Sequence, residues 1–473
     1  MKLSLSWIKD FVNIPEDMDM KQLAYDLTMD TVEVEDVEYL ADRFDHMVVG
    51  VIEDIEPHPN ADKLRVCKVD IGDGEIKDIV CGGINLEKGM RVAVSCPGAI
   101  VRWHGEGEPV EIKKSKLRGV ASYGMICASD EIGLGDLFPA SQEAEILDLS
   151  AFDVPAGTTL ADALDLNDVL LEIDNKSMTN RPDLWGHYGI AREIAALYNL
   201  PLAEIKPFDT DVQSDFNVEI ADPDRCPRYI GVEMSGVNVK EAPYQMQNRI
   251  WKVGMRPINA LVDITNYVML ATGNPTHAFD ADNISDHIVV RHAAENEKLL
   301  LLNDKELSLC TDDLVITDSE GPVALAGVMG GAKDSILPKT ERVILEVANF
   351  EAAGIRRTAL RYDNRTEASS RYEKAIDPER CDQALALSMQ YFKELYPEMK
   401  VTGYCDKYVK KLKRAEIDVN LVWLEKRLGK HLTNDEIQAS LRNLDLMYRS
   451  MGRTCTLSLR HGVLQVTFPL KMM

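Results

Sequence analysis

The chain has 473 residues, room for about three or four domains with ample core, and its 45% hydrophobic and 28% charged content is that of an ordinary globular protein. A net charge of −25 excludes indiscriminate adsorption to nucleic acid and leaves only local basic footprints, at Lys113–Arg118, Arg356–Arg365 and Lys407–Arg414. No apolar run reaches bilayer length, the N-terminus lacks a signal sequence's apolar stretch, and nine cysteines form no Cys-x-x-Cys pair; a cytoplasmic chain with reduced thiols is expected, with no membrane, zinc or disulfide framework.

In chain order, residues 1–40 read as a short strand, a helix around Trp7–Val12, a second over Met20–Met29 and a strand Val32–Tyr39. From 41 to 150, the segments Val48–Ile55, Lys63–Val69, Ile79–Cys81 and Arg91–Ser95 alternate apolar and polar residues and are broken by Gly and Pro pairs, the pattern of a small closed β-barrel. Thr158–Leu164 and His187–Leu200 read as helices; before the second, Met178-Thr-Asn-Arg-Pro-Asp-Leu-Trp-Gly-His187 leaves open whether Asp183 caps it or lies in a buried turn. Residues 1–40 and 151–200 are expected to pack as one small α+β domain with the barrel inserted between them. Residues 205–395 form a large α+β region, with helices at Tyr244–Lys252, Asn259–Leu270 and Cys381–Leu395 and strands at Tyr229–Val232, Ile288–Arg291, Leu299–Leu302, Leu314–Ile316 and Val343–Glu346. A partial α+β module at 400–446 starts with the strand Val401–Val409, followed by strand Ile417–Val419 and helices Leu421–Leu428 and Asn434–Leu444.

The barrel carries a specific pair of motifs, His58-Pro-Asn-Ala-Asp-Lys-Leu-Arg-Val-Cys-Lys-Val-Asp70 and Ile112-Lys-Lys-Ser-Lys-Leu-Arg-Gly-Val120, closed by Gly124-Met-Ile-Cys127. A five-strand barrel with a basic loop on one side suits single-stranded or looped nucleic acid. The segment resembles the tRNA-binding OB domain of several aminoacyl-tRNA synthetases and their accessory factors. That resemblance implies tRNA contacts by His58, Asn60, Asp62, Lys63, Lys113, Lys114, Lys116, Arg118 and Met125.

In the large region stand Met255-Arg-Pro-Ile-Asn-Ala260, Asn274-Pro-Thr-His-Ala-Phe279, Ala326-Gly-Val-Met-Gly-Gly331, Leu345-Glu346 and Arg365-Thr-Glu-Ala-Ser-Ser-Arg-Tyr-Glu373. Read as residues, they describe a cleft whose glycines admit close backbone approach, with a cation, a His and a carboxylate; the plain alternative makes His277 and Glu346 solvated surface groups. In order and spacing they resemble the editing module of the bacterial phenylalanyl-tRNA synthetase β-subunit family, from Met1 to about Leu444. The implied fold is multidomain α+β: an OB-fold barrel (41–150) inserted in a discontinuous α+β domain (1–40 and 151–200), a B3/B4-type editing domain (205–395) and a partial B5-type module (400–446).

The resemblance also implies function. The holoenzyme, a heterotetramer with the alpha subunit, uses ATP and magnesium to attach phenylalanine to tRNA(Phe); this chain supplies tRNA binding and hydrolysis of mischarged Tyr-tRNA. An apolar phenylalanine pocket rejects the added hydroxyl of tyrosine only about a hundredfold, so a second, hydrolytic site is needed. That site must hydrogen-bond the phenol, and an ionised Glu is a pure acceptor. Glu346 matches the tyrosine-recognising carboxylate, Gly330 the backbone approach at the same ring, Arg256 and His277 the positions near the scissile ester and the tRNA 3′ end, and Thr366 and Ala368 the wall that sets pocket size. A free-standing trans-editing hydrolase and a non-catalytic tRNA-binding accessory protein are the competing readings.

The last 28 residues, Leu446 to Met473, contain no Asp or Glu, although 78 of 473 residues are acidic in the whole chain. Where the family has a Trp-Arg pair and an acidic run, this chain has Arg460-His-Gly-Val-Leu-Gln-Val-Thr-Phe-Pro-Leu-Lys-Met-Met473, and a neighbouring frame with permissible codons restores the family's residues. A frameshift near Leu446 is therefore expected, with 447–473 an aberrant, poorly packed tail. The family's acidic magnesium ligands, the domain that docks the alpha subunit and the anticodon-binding domain are then expected to be missing, and no metal ligand is assigned.

Overall fold

The computed structural model describes residues 1–473 apart from Gln213, Asp334, 413–415, 443–445, 452–453 and 460–473. They divide into two compact units: one holds 38–170 with the short segment 254–257, the other 1–37, 171–253 and 258 onward.

In the first unit, a five-stranded antiparallel sheet runs in the order Met125–Ile126, Arg91–Ser95, Met47–Pro57, Arg65–Asp70, Ile76–Cys81. The long strand Met47–Pro57 pairs through its first half with Arg91–Ser95 and through its second with Arg65–Asp70, with a register shift between Ile52 and Asp54. Such a shift bends a strand and increases its twist. Gly50 sits where a Cβ would lie 2.7 Å from both Val69 and Val94, so the crossing requires glycine. The sheet's two ends are joined by Tyr123 N–H to Asp78 O (2.8 Å) and Val80 N–H to Ser122 Oγ (3.0 Å), leaving a nearly closed barrel. Its interior is filled by Ile52, Cys67, Val69, Ile79, Val92 and Val94. Expected helix Thr158–Leu164 is only Leu160–Ala163, because the Thr159 hydroxyl caps it by accepting from Asp162 N–H.

In the second unit, Lys2–Ser4, Val169–Ile173 and Val34–Tyr39 form a three-stranded sheet where the chain leaves and re-enters. The helix expected at Trp7–Val12 is Leu5–Ile8: Val12 is drawn into a β-bridge with Leu202, and Asp10 is held by Arg249. Trp7 is wholly buried, stacked at 4.0 Å on His187 and 4.1 Å from Tyr267. Asp183 does not cap helix His187–Tyr198, whose N-cap is Gly186. It accepts a bidentate pair from Arg181 (2.9 and 2.7 Å) and a bond from Arg192 (2.5 Å), while Arg181 also reaches Glu193 (2.5 Å). Burial pushes the Asp183 carboxyl up, but Arg181, Arg192 and Arg380 outweigh it and hold it at about 2. The Thr-Asn-Arg-Pro-Asp motif is thus a buried ionic brace, costly to break at either partner.

The large region is built on two sheets. One has the antiparallel order Thr276–Asp280, Arg342–Asn349, Arg228–Ser235, Lys400–Tyr408. The strand expected to open the next module is therefore the outer strand of this sheet, because its alternating residues pair along the whole of Arg228–Ser235. The other sheet orders Val218–Ile220, Ile288–His292, Leu314–Thr317, Pro322–Leu325, Met329–Gly330, with only the first pair parallel. Tyr229, Phe279, Val290, Leu325, Ile344 and Phe350 belong to one shared core. Helix Ala260–Thr272 is apolar on nearly every face; it is capped by Asn259 and covered by helix Arg380–Leu395 and strand Thr276–Asp280.

Beyond the large region, Leu446–Met451 and Thr454–Leu459 form an antiparallel pair, the second also pairing with Glu416–Asn420. The part of the expected tail over these residues is strand. Its remaining part, 460–473, lies outside the described residues.

Candidate functional site

Strand register creates the site. His277 and Glu346 are directly opposed on Thr276–Asp280 and Arg342–Asn349, so both side chains leave the same face of the sheet. Strand Met329–Gly330 of the second sheet brings its backbone against them: a Cβ at Gly330 would lie 2.7 Å from both Cε1 and Nε2 of His277 and 3.2 Å from Leu302. Gly327 has φ +67°, a conformation that favours glycine, and turns the segment leading into this strand. Together they border a small cavity of about 70 Å³, open to solvent on one side. His277, Gly330, Glu346 and Ala368 line it, with Tyr372 and Pro275.

Thr366 acts beside the wall. Its hydroxyl donates to Val328 O (2.8 Å) and accepts from Ser369 N–H (3.1 Å), capping helix Glu367–Tyr372 and tying it to the glycine segment; this sets the position of Ala368. Arg256 is on the exposed loop between helices Tyr244–Lys252 and Ala260–Thr272, in the segment grouped with the barrel unit, and is not a lining residue. Tyr229 was not singled out by motif: its phenol donates to Glu346 Oε2 at 3.2 Å. One residue of an ordinary alternating strand gives no signal of that bond in the sequence.

Glu346 is 5% exposed, so the solvated-surface alternative does not describe it. Burial pushes its carboxyl up to about 8, against a smaller opposing pull from the Tyr229 bond. That shift favours the protonated carboxyl near neutral pH over the expected ionised acceptor, and a protonated carboxyl donates from one oxygen and accepts at the other. Burial pushes the half-buried His277 down to about 4, and Phe279 packs edge-on to its ring at 4.6 Å. Both shifts favour the uncharged form of the pair near neutral pH.

The barrel motifs meet as well. His58 Nδ1 accepts from Asn60 N–H (3.0 Å), which leaves Nε2–H to donate to Leu117 O (3.1 Å), and Asn60 Nδ2 donates to Arg118 O (3.0 Å). The first motif's loop is thereby clamped to the hairpin Ser115–Leu117 and Val120–Ser122. Arg118 (φ +44°) and Gly119 (φ +94°) form its two-residue turn, both in the left-handed region a tight hairpin needs. Asp62, Lys63, Lys113, Lys114, Lys116 and Arg118 are exposed there, with Met125 half-buried on the adjoining strand. Lys113 pairs with Glu111 (3.1 Å), and the Lys114 ammonium lies 5.0 Å from the Tyr123 ring. His58 itself is buried, so it acts as a clamp. His58→Ala is expected to destabilise the barrel by about 1–3 kcal/mol, read by denaturant unfolding, because the buried imidazole's two bonds, to Leu117 O and Asn60 N–H, are both lost. An unchanged midpoint would refute the clamp.

The Arg356–Arg365 cluster is largely neutralised within its own unit. Asp312 accepts from Arg357 (3.2 Å), Arg361 (3.0 Å) and Arg225 (3.2 Å), and Arg365 pairs with Glu373 (2.5 Å). Those bonds, Arg357's first, hold the Asp312 carboxyl well below the usual range.

Known proteins share both parts. Residues 225–397 match the model of the B3/4 domain and residues 47–158 that of a putative tRNA binding domain. The phenylalanine–tRNA ligase beta subunit of Fusobacterium nucleatum is 37% identical over 456 residues, 96% of this chain and 55% of that protein. That of Oceanobacillus iheyensis is 38% identical over 462 residues, 96% of this chain and 56% of its own. An N-terminal fragment of the phenylalanyl-tRNA synthetase beta subunit from Pyrococcus horikoshii, 17% identical, covers 62% of this chain and 82% of that one with a TM-score of 0.32. The chain spans about half the length of the curated relatives it matches.

Proposed function

Because the chain belongs to the phenylalanine–tRNA ligase beta subunit family, we propose that it binds tRNA(Phe) through its barrel unit and hydrolyses tyrosine misattached to that tRNA in the cavity around Glu346. The observation that carries this reading is the opposition of His277 and buried Glu346 beneath the side-chain-free Gly330. The tyrosyl ring enters past Gly330 and its hydroxyl pairs with Glu346; a phenylalanyl ring leaves that buried carboxyl unmet. Water adds to the ester carbonyl, the bond to the ribose oxygen breaks, and tyrosine and an intact tRNA 3′ hydroxyl leave. His277, uncharged at neutral pH, holds that water by a hydrogen bond, and the tRNA's own hydroxyls share the proton transfers.

In this reading the barrel is an OB fold, and Lys63, Lys113, Lys114, Lys116 and Arg118 meet the phosphates while the His58–Asn60 clamp holds them in register. Aminoacylation with phenylalanine, ATP and magnesium belongs to a cytoplasmic assembly with the alpha subunit. Among the described residues no cluster of three or more His, Cys, Asp or Glu could hold a metal ion, and no helix is long and apolar enough to cross a membrane; no step is assigned to magnesium on this chain.

Deacylation of Tyr-tRNA(Phe) and Phe-tRNA(Phe) by the purified chain tests the reading. Tyr-tRNA(Phe) should be hydrolysed in preference, and Glu346→Ala should reduce that preference at least ~10-fold, the worth of a buried hydrogen bond. Equal rates on both substrates with the unaltered chain would reject it.

A further inference from the structure

The Glu346 carboxyl has one hydrogen-bond partner among the described residues, the phenol of Tyr229, which donates to Oε2 at 3.2 Å. Tyr229 is fully buried on strand Arg228–Ser235. Its register partner is Ala348, while Gly231 stands opposite Glu346, so the tyrosine reaches the carboxyl along the diagonal of the sheet, a distance an aromatic side chain spans. Tyr229 does not line the cavity; Glu346 does.

A carboxyl's terminal torsion is broad, so burial alone does not decide which oxygen faces a ligand. With Oε2 engaged, Oε1 is the oxygen without a partner. We propose that Tyr229 is a specificity-positioning residue of this site: by holding Oε2 of Glu346 it turns Oε1 to the cavity, so that a ring bearing a hydroxyl is preferred to one without. The inference rests on the editing reading above and names the residue on which its selectivity depends. A phenylalanyl ring would leave Oε1 buried and unpaired, and the cost falls on that substrate alone only while the carboxyl is held in place. Without the Tyr229 bond, the carboxyl rotates to satisfy itself with whatever is bound, and the penalty is lost.

The test measures kcat/KM for Tyr-tRNA(Phe) and Phe-tRNA(Phe) with the full chain and with Tyr229→Phe, which removes one oxygen and keeps the ring. The ratio of the two should fall about 5- to 10-fold, as expected for one neutral hydrogen bond. A ratio within twofold of the unaltered chain's would overturn the role and leave Tyr229 a packing residue, whose loss moves stability alone. A double-mutant cycle with Glu346→Ala, which removes the acceptor, adds a second readout: if both residues act through one bond, Tyr229→Phe changes the ratio little in that background, and fully additive losses would contradict the proposal. An unaltered chain with no preference for Tyr-tRNA(Phe) would instead overturn the editing reading itself, and this inference with it. The unaltered chain's own ratio tells the two failures apart.

Discussion

Gly330→Ala is expected to lower Tyr-tRNA(Phe) hydrolysis about 10- to 100-fold while shifting the melting temperature by only a few degrees, the span that overpacking by about 1–3 kcal/mol produces. The added methyl would lie 2.7 Å from Cε1 and Nε2 of His277, closer than carbon and nitrogen atoms pack, and 3.2 Å from Leu302. Something must move. The imidazole tip is more mobile than either strand, but Phe279 meets that ring edge-on at 4.6 Å and limits its retreat. The strain is therefore relieved by displacing His277 and narrowing the cavity, with the sheet left largely intact. Deacylation assays beside thermal melts separate these effects, and a variant with full activity would show that Gly330 is not the close-approach point.

Raising the pH from 6.5 to 8 is expected to destabilise the unaltered chain relative to Glu346→Gln, by at most about 2 kcal/mol. The sign follows from proton counting. Glu346 is pushed up to about 8 in the folded chain from an ordinary 4.5, so between those values the folded state holds a proton that the unfolded state has released. Stability from this group is complete below pH 4.5 and is lost as pH rises through 8. His277, pushed down to about 4 from 6.5, acts oppositely: its contribution is present above 6.5 and lost as pH falls through 4. Above 6.5, then, only Glu346 of the pair contributes to the pH dependence. The titratable groups around it, Tyr229, Tyr372 and Cys226, are all pushed further up and stay neutral across the window. Glutamine cannot ionise, so the difference between the two melting curves isolates the carboxyl. A difference that does not change with pH would mean that Glu346 is ionised at neutrality and recognises its ligand as a carboxylate.

Several site residues were legible because each sits in a local signal. The glycines at 327 and 330 stand within one short motif, His277 lies between a Pro-Thr pair and an aromatic, and Thr366 opens a helix as a capping residue. Other features depended on partners distant in the chain. Asp183 resembled a helix cap because it precedes a helix, yet Arg181 and Arg192 claim its carboxyl. The strand read as opening a new module is Lys400–Tyr408, and its partner is Arg228–Ser235, more than 160 residues earlier by number. The arginines at 357 and 361 read as a basic footprint until Asp312 is placed beside them.

By itself the sequence determined the alternation that makes the barrel strands, the basic residues of its two motifs, the family to which the chain belongs and the residue types of the cavity. These are properties of neighbours along the chain, where period and spacing carry the information. Only the tertiary structure decided that His277 and Glu346 face each other, that burial pushes the Glu346 carboxyl up and that Tyr229 donates to it. The physical reason is that register and burial arise from pairings among residues 229, 277 and 346, and the ionisation of a carboxyl follows from what surrounds it after folding, which no stretch of sequence around it records.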